Sequence, residues 1–559
     1  RPLCGRALVF QEITMKIQIR FNEEGALRNQ RYAFTNRFTL VTELLQNARR
    51  AGARHITIEH RPEDQVLRVV DDGHGVADFQ KLLSFHESGW DAGLAGQEHP
   101  FGVGFTKCLY AASRIVAASG RQQVDIDSAA ALQREPFDVT TKRRVVNGTV
   151  IELHGVEISD LAKQMETLCE GFPVDVVFNG TPMARRYAED KIALSPTPIG
   201  VVHVSGNRDG KATYATLVFL QGFCVHRPRF FQADSVNVVH LDPQQFMARL
   251  PDRDQLIDAD QQLKRVDAQV KQSWRSILEV AKTQLKPQDF VATYFDAMLQ
   301  WQHQDLLNDM DELPAALFQR ISGYPFQTHY GQQGFLEPAA AAPSREDIES
   351  GQVTLVSMGA VSEENAAHWM LARQNQWLLT EAYRLDSNHW LHPHVRYPDL
   401  EKAVVEPQGE TARITLEGRW VWPQVVLCEA VNIRFGGHEA ILVDDGVCHE
   451  GNLLIPANEV SGEAMRQLSD FVDGNDHYRD DDAEADCMAL ADLIRRLRST
   501  DPVATLSSLL SELGLGKYAL LHGRRFEVTV GVGGMPGCSV ELVGAEEALA
   551  SDGGGHAEC

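Results

Sequence analysis

Between residues 36 and 71 the hydrophobic pattern changes period, and that change sets the fold class. From Asn36 to Ala51 apolar residues recur at helical spacing, at Phe38, Val41, Leu44, Leu45 and Ala48, and Gly52 follows where a helix would stop. From His55 the period becomes two. "HITIEH" and "VLRVVDD" alternate apolar and polar residues around a short "RPEDQ" connection, the pattern of a β-hairpin. A helix running straight into a hairpin predicts an α/β layer. On that helix Glu43 and Asn47 stand one turn apart and share a face, so a carboxylate and an amide are buried together or look into a common cavity. Asp71 falls at the end of the second strand.

The rest of the chain extends the pattern. After "GHG" comes "ESGWDAGLAGQEHP", which has no periodicity, and then "FGVGFTKCLYAAS", where glycines open an apolar helix. "VVNGTVIELHG" reads as a strand interrupted by a turn, and "FPVDVVFNGTPM" as a strand ending in an Asn179-Gly180 hairpin turn. "ATLVFLQGFCVH" reads as one further strand, followed by a long helix from Asp258 to Leu285. These elements predict an α/β domain over 15–158, a second α/β domain over 159–290, a helical extension over 291–336, a linker over 337–347 ("EPAAAAPSRED") and an α+β C-terminal region over 348–559. In that region "WMLARQNQWLLTEAYRL" reads as a helix. "DFVDGNDHYRDDDAEAD" reads as a solvated acidic loop before the helix "CMALADLIRRLRS", because it lacks the spacing of a calcium loop. Residues 1–14 precede Met15 and "MKIQIRF" and are expected to be an upstream extension.

Composition narrows the function classes. A chain of 559 residues is too long for one core. The formal charge of −24 repels phosphate backbones and anionic membranes, which disfavours broad DNA binding while leaving room for a local basic groove. The nine cysteines are scattered without a C-x-x-C pair, which predicts reduced thiols and a cytoplasmic location. No apolar run reaches the roughly 18 residues that a membrane span needs.

Taken singly, E-x-x-x-N, D-x-G-x-G and G-x-G are weak signals. Their order is specific: Glu43 and Asn47 on a helix, "DDGHGV" closing a hairpin, a glycine-containing loop, and "PFGVGF" opening a helix. The set resembles the GHKL ATPases, the superfamily of gyrase-type topoisomerases, MutL-type mismatch-repair proteins, ninety-kilodalton heat-shock chaperones and histidine kinases. "TELLQNARRAGARHITI" is most similar to the MutL branch and "PFGVGF" to the heat-shock chaperone branch, over residues 15–155 or so. The resemblance implies a Bergerat-type ATP-binding sandwich followed by a second domain like ribosomal protein S5.

It also implies roles. ATP and Mg2+ would be the cofactors, with the Asn47 oxygen as the protein ligand of the metal, since magnesium is hard and keeps several waters. Glu43 would be the general base for the water attacking the γ-phosphate. Asp71 would select adenine through its amino group, with Thr149 of the Gly148-Thr149 pair beside the base, and Gly73 and Gly75 would let backbone pass beneath it. Gly102, Val103, Gly104 and Phe105 would present backbone N–H groups to the phosphates. Residues 77–100 would form a lid, with Ser88, Trp90, Gly93 and Gly96 in it. His74 reads as a spectator, and Lys107 as equally suited to solvent or to phosphate, outside the core site. Gln46 and Arg50 depart from the acidic residues usual in related helices.

In the gyrase, MutL and chaperone branches a second domain offers a basic residue to the γ-phosphate; here Arg249 and Arg253 are the candidates, against surface ion pairs with Asp252 and Asp254. The expected function is a Mg-dependent ATPase that couples lid closure to homodimerisation, a clamp or chaperone with a protein client. The alternatives are a DNA-processing subunit of the MutL or topoisomerase kind and a non-hydrolysing nucleotide scaffold.

Overall fold

The computed structural model describes residues 16–19, 22–30, 38–84, 104–249, 254–327, 334–472, 477–531 and 537–543. The chain divides into two units, 1–312 with 384–389, and 313–383 with 390–559.

The first unit contains the mixed sheet that the period change predicts. Helix α1 (Glu23–Gln30) precedes α2 (Thr39–Arg50), and strands β1 (His55–Arg61) and β2 (Val66–Asp71) form the hairpin. Helix α3 (Thr106–Ala111), strand β3 (Arg114–Asp127), helix α4 (Ser128–Leu132) and strand β4 (Thr140–His154) follow. Helix α5 (Leu161–Cys169) then leads to β5 (Asp175–Phe178) and β6 (Thr181–Pro182), and the sheet order is β3-β4-β2-β1-β5-β6.

Because β5 runs parallel to β1, the chain must cross over the sheet, and α5 is that crossover. The first domain therefore extends to about residue 182 instead of ending at 158. Asn179 and Gly180, both at positive φ, make the expected hairpin turn into β6. Leu40, Val41, Leu44, Leu45 and Ala48 of α2 share one apolar core with Ile56, Ile58, Leu67, Val69, Ile115, Ile151 and Leu153 of the sheet.

A second sheet, in the order β10-β9-β11-β8-β7, comprises β7 (Ser195–Thr197), β8 (Gly200–His203), β9 (Thr216–Leu220), β10 (Phe223–His226) and β11 (Asn237–Leu241). "ATLVFLQGFCVH" is thus two strands, not one. Gln221 and Gly222 both take positive φ and turn the chain between them. Helix α6 (Ala259–Gln284) matches its expected span and buries Val266, Val270, Trp274 and Leu278 along one stripe, and α7 (Pro287–Trp301) follows. Residues 384–389 return to this unit: the Asn308 amide donates to Asp386 at 2.9 Å, and Arg384 lies over the Phe295 ring.

The second unit is α+β, and its described residues form sheets of five, three, four and two strands. Three expectations change here. Residues 337–347 are not a linker: strand Leu336–Pro338 pairs with Phe318–Ile321, and helix Arg345–Glu349, capped by Ser344, buries Ile348. That pairing also places the end of the expected 291–336 extension in a sheet. "WMLARQNQWLLTEAYRL" is helical only to Gln374; Gln376 turns left-handed, Trp377 donates back to Ala372, and Leu378–Thr380 is a strand. The acidic run is not all solvated loop. Asp480, Asp481 and Asp482 form the first turn of a helix reaching Arg498, where negative charge meets the positive end of the helix dipole. Asp486 is fully buried, and its carboxylate accepts the N–H groups of Arg419, Trp420 and Val421. Residues 473–476 of that run lie outside the described set. Among the described residues no helix is long and apolar enough to cross a membrane.

Candidate functional site

Residues two apart on a strand share a face, so the strand registers define rows across the helix-covered side of the first sheet. One row, Ile58, Val69, Ile151 and Ala117, is wholly apolar and buried. The next, at the sheet end, is Ile56, Asp71, Thr149 and Ser119, and its three polar members are also buried. The apolar core thus gives way to a polar edge at the predicted acid.

The two neighbouring aspartates there behave oppositely. Burial raises the Asp71 carboxyl above the usual carboxylate range, partly offset by hydrogen bonds from the Gly73 N–H, at 2.9 Å, and from Thr149. Asp72 faces outward. It accepts the Arg54 and His55 N–H groups and pairs with His55 Nδ1, and hydrogen bonds from His55 hold it at about 2. Position in the pleat puts Asp71 on the buried face of the sheet and Asp72 on its outer side.

The turn after Asp71 is strapped to its surroundings by glycines. A Cβ on Gly73 would lie 2.7 Å from the Ala51 carbonyl oxygen at the end of α2, which also accepts the His74 N–H. Gly75 has φ +82, and a Cβ there would meet Ser119 Oγ at 2.3 Å. That hydroxyl accepts the Val76 N–H and donates to the Gly148 carbonyl. Gly148, at φ +74, sits against the Asp71 carbonyl, where a Cβ would approach to 2.0 Å. The D-x-G-x-G segment is therefore held between α2 and the β3–β4 pair.

Helix α2 supplies the other half. Glu43 is 5% exposed, Gln46 is fully buried, Asn47 is half-buried one turn from Glu43, and Arg50 is buried. The turn entering α3 closes on the carboxylate: a Cβ on Gly104 would lie 2.3 Å from Glu43 Oε2. Phe105 packs partly buried against the core. Lys107 is buried, not solvated, and its Nζ stands 3.4 Å from Glu43 Oε1. Gln46 turns toward the second sheet, where its Nε2 donates to Gln221 Oε1 at 2.5 Å. Beside it Phe223 stacks on Phe172, ring centroids 5.2 Å apart.

The structure joins Glu43 to Gly104, and Asp71 to Gly73, Gly75 and Thr149. Arg249 lies at the surface in an ion pair with Asp254 at 3.6 Å, the bland alternative for that residue. Gly102, Val103, Arg253, and Ser88, Trp90, Gly93 and Gly96 of the expected lid lie outside the described residues. Sequence reasoning left out Lys107 and passed over Ser119. The strand alternation Ile115, Ala117, Ser119 would have found the serine.

Residues 35–166 match a family model described as "Histidine kinase-, DNA gyrase B-, and HSP90-like ATPase". No curated protein matches the chain in sequence. Among solved structures, the ATPase region of Saccharomyces cerevisiae topoisomerase II is similar at 10% identity and a TM-score of 0.31, covering 43% of this chain and 89% of that one. The same region bound to ICRF-187 (dexrazoxane) is similar at 12% identity and a TM-score of 0.25, covering 34% and 62%.

Proposed function

Since the chain belongs to the GHKL superfamily through residues 35–166, we propose that it is a Mg-dependent ATPase that uses ATP binding and hydrolysis to close residues 77–100 over the nucleotide and to dimerise, as a clamp or chaperone-like machine. The observation that carries the reading is convergence. The E-x-x-x-N helix meets the second glycine motif at Glu43 and Gly104, and it meets the D-x-G-x-G turn at Ala51 and Gly73.

The residues suit the ligand. Asp71, anchored by Gly73 and Thr149, is a fixed acceptor for the exocyclic amino group of adenine. Gly104, without a side chain of its own, lets the backbone entering α3 approach the Glu43 carboxylate. The Asn47 amide oxygen suits a hard cation, and magnesium, when bound, supplies positive charge to the phosphates. Glu43 takes a proton from the attacking water as its oxygen bonds to the γ-phosphorus, and the bond to the β–γ bridging oxygen breaks to release ADP. The Gln46–Gln221 bond supports a path from this helix to the second domain.

The test is calorimetric nucleotide binding with steady-state phosphate release, run with and without duplex DNA. Glu43→Gln is expected to keep ATP affinity and lose turnover, and Asp71→Asn to lose binding by about 100-fold, the scale of a charge-assisted hydrogen bond. Unchanged turnover in Glu43→Gln would remove the base assignment. Stimulation by DNA would favour the DNA-processing alternative.

A further inference from the structure

We infer that Lys107 is the positioning residue for Glu43, an inference that rests on the proposed hydrolysis. One short segment grips the carboxylate from both sides: Lys107 Nζ stands 3.4 Å from Oε1, and the Cα of Gly104, three residues earlier, backs against Oε2. Both side chains are almost wholly withdrawn from water, at 4% and 7% exposure. In such a place a carboxylate without a cation bears an uncompensated desolvation penalty, so the ammonium offsets that penalty and holds the carboxylate in one orientation. The next residue of α3, Cys108, supplies no charge beside this pair, because burial pushes its thiol up to about 12. Lys107 is thus the cation that the fold delivers to this acid from α3.

Kinetic additivity distinguishes this role from phosphate binding. A lysine that serves the phosphates directly acts independently of Glu43 and strengthens ATP over ADP. One that acts through Glu43 changes turnover and becomes irrelevant once Glu43 cannot accept a proton, because residues acting as a unit are not additive.

The experiment is a double-mutant cycle in the full chain: wild type, Glu43→Gln, Lys107→Met and the pair, measured for kcat, ADP affinity and affinity for a non-hydrolysable ATP analogue. Lys107→Met is expected to lower kcat by about 100-fold, the scale of a misplaced catalytic group, with both affinities within about threefold, since the inference assigns it no phosphate contact. In the Glu43→Gln background it is expected to lower kcat no further. Equal effects in both backgrounds, a selective loss of ATP-analogue affinity, or wild-type kcat in Lys107→Met would each overturn the inference. If Lys107→Met leaves a buried charge and does not fold, Lys107→Arg takes its place in the cycle. That variant is expected to keep kcat within about tenfold of wild type, and collapse to the Glu43→Gln level with normal affinities overturns the inference. Wild-type turnover in Glu43→Gln would instead refute the assignment of Glu43 as the base, while absence of ATP hydrolysis in the wild type would refute the hydrolytic reading itself.

Discussion

Gly104→Ala tests the site at its tightest contact. The added methyl would sit 2.3 Å from Glu43 Oε2 and 3.1 Å from the carboxyl carbon. Ordinary van der Waals separation requires one of them to retreat by about 1 Å. The carboxylate is the end of a flexible side chain, so it is the group that moves, and the folding cost stays near the low end of the ~1–3 kcal/mol usual for overpacking. Its freedom is limited, however, by the Lys107 contact on the other oxygen and by burial. A displacement of about 1 Å at a catalytic group is worth about 100-fold in rate, or about 2.7 kcal/mol of activation free energy.

The expected outcome is therefore a split: kcat falls by about two orders of magnitude while ADP affinity and the unfolding transition barely move. Phosphate release under saturating ATP, calorimetric ADP titration and a urea melt measure the three quantities. Full turnover in a folded Gly104→Ala protein would refute the reasoning, because it would mean that the chemistry is indifferent to where this carboxylate lies.

Other outcomes follow from the same contacts. Burial raises the Asp71 carboxyl, so the folded state holds that proton more tightly than the unfolded chain, and stability falls as pH rises from 3.8 through the raised value. Asp71→Asn, free of that penalty, is expected to melt no lower than the native protein at pH 7, with the advantage vanishing below 3.8; a clear loss of Tm at pH 7 would contradict this. Gln221→Ala strands the fully buried Gln46 amide and should cost about 1–3 kcal/mol in a urea melt, recovered when Gln46→Leu is added. Asp486→Ala leaves the N–H groups of Arg419, Trp420 and Val421 without their acceptor and should cost the second unit more than about 3 kcal/mol, whereas Asp486→Asn, which keeps an oxygen, costs less.

What could be read from the residues was local. Period and turn chemistry located α2, the β1–β2 hairpin, the Asn179-Gly180 turn and α6, because each is set by side chains close in sequence. Asp71 was legible because it ends the second strand and opens the D-x-G-x-G turn that closes the hairpin; its place on the buried face came from the structure. The errors arose where distant chain decides. β5 belongs to the first sheet only because β1 has an open edge to receive it, and Asp486 is buried only because the loop at 419–421 offers it three donors. Lys107 was misjudged for the same reason. Its own neighbours in sequence suggest an ordinary helix, and its burial depends on an acid 64 residues earlier.

The same dependence on distant contacts gives α2 its place between two domains. Its turns carry Glu43 and Asn47 on the side of the proposed nucleotide, while Gln46, adjacent to Asn47, bonds the hairpin tip of the second sheet. That tip is not a loose contact: Phe223 belongs to the first domain's own core, and a Cβ on Gly222 would strike Pro173 at 2.6 Å. Packed interfaces of this kind hold discrete arrangements and do not deform continuously. A shift of α2 toward a bound phosphate must therefore either carry the β9–β10 hairpin with it or break the Gln46–Gln221 bond and leave a buried amide without its acceptor, at about 1–3 kcal/mol. The Gln46–Gln221 bond thus sets a cost of about 1–3 kcal/mol on any movement of α2 that leaves the hairpin behind.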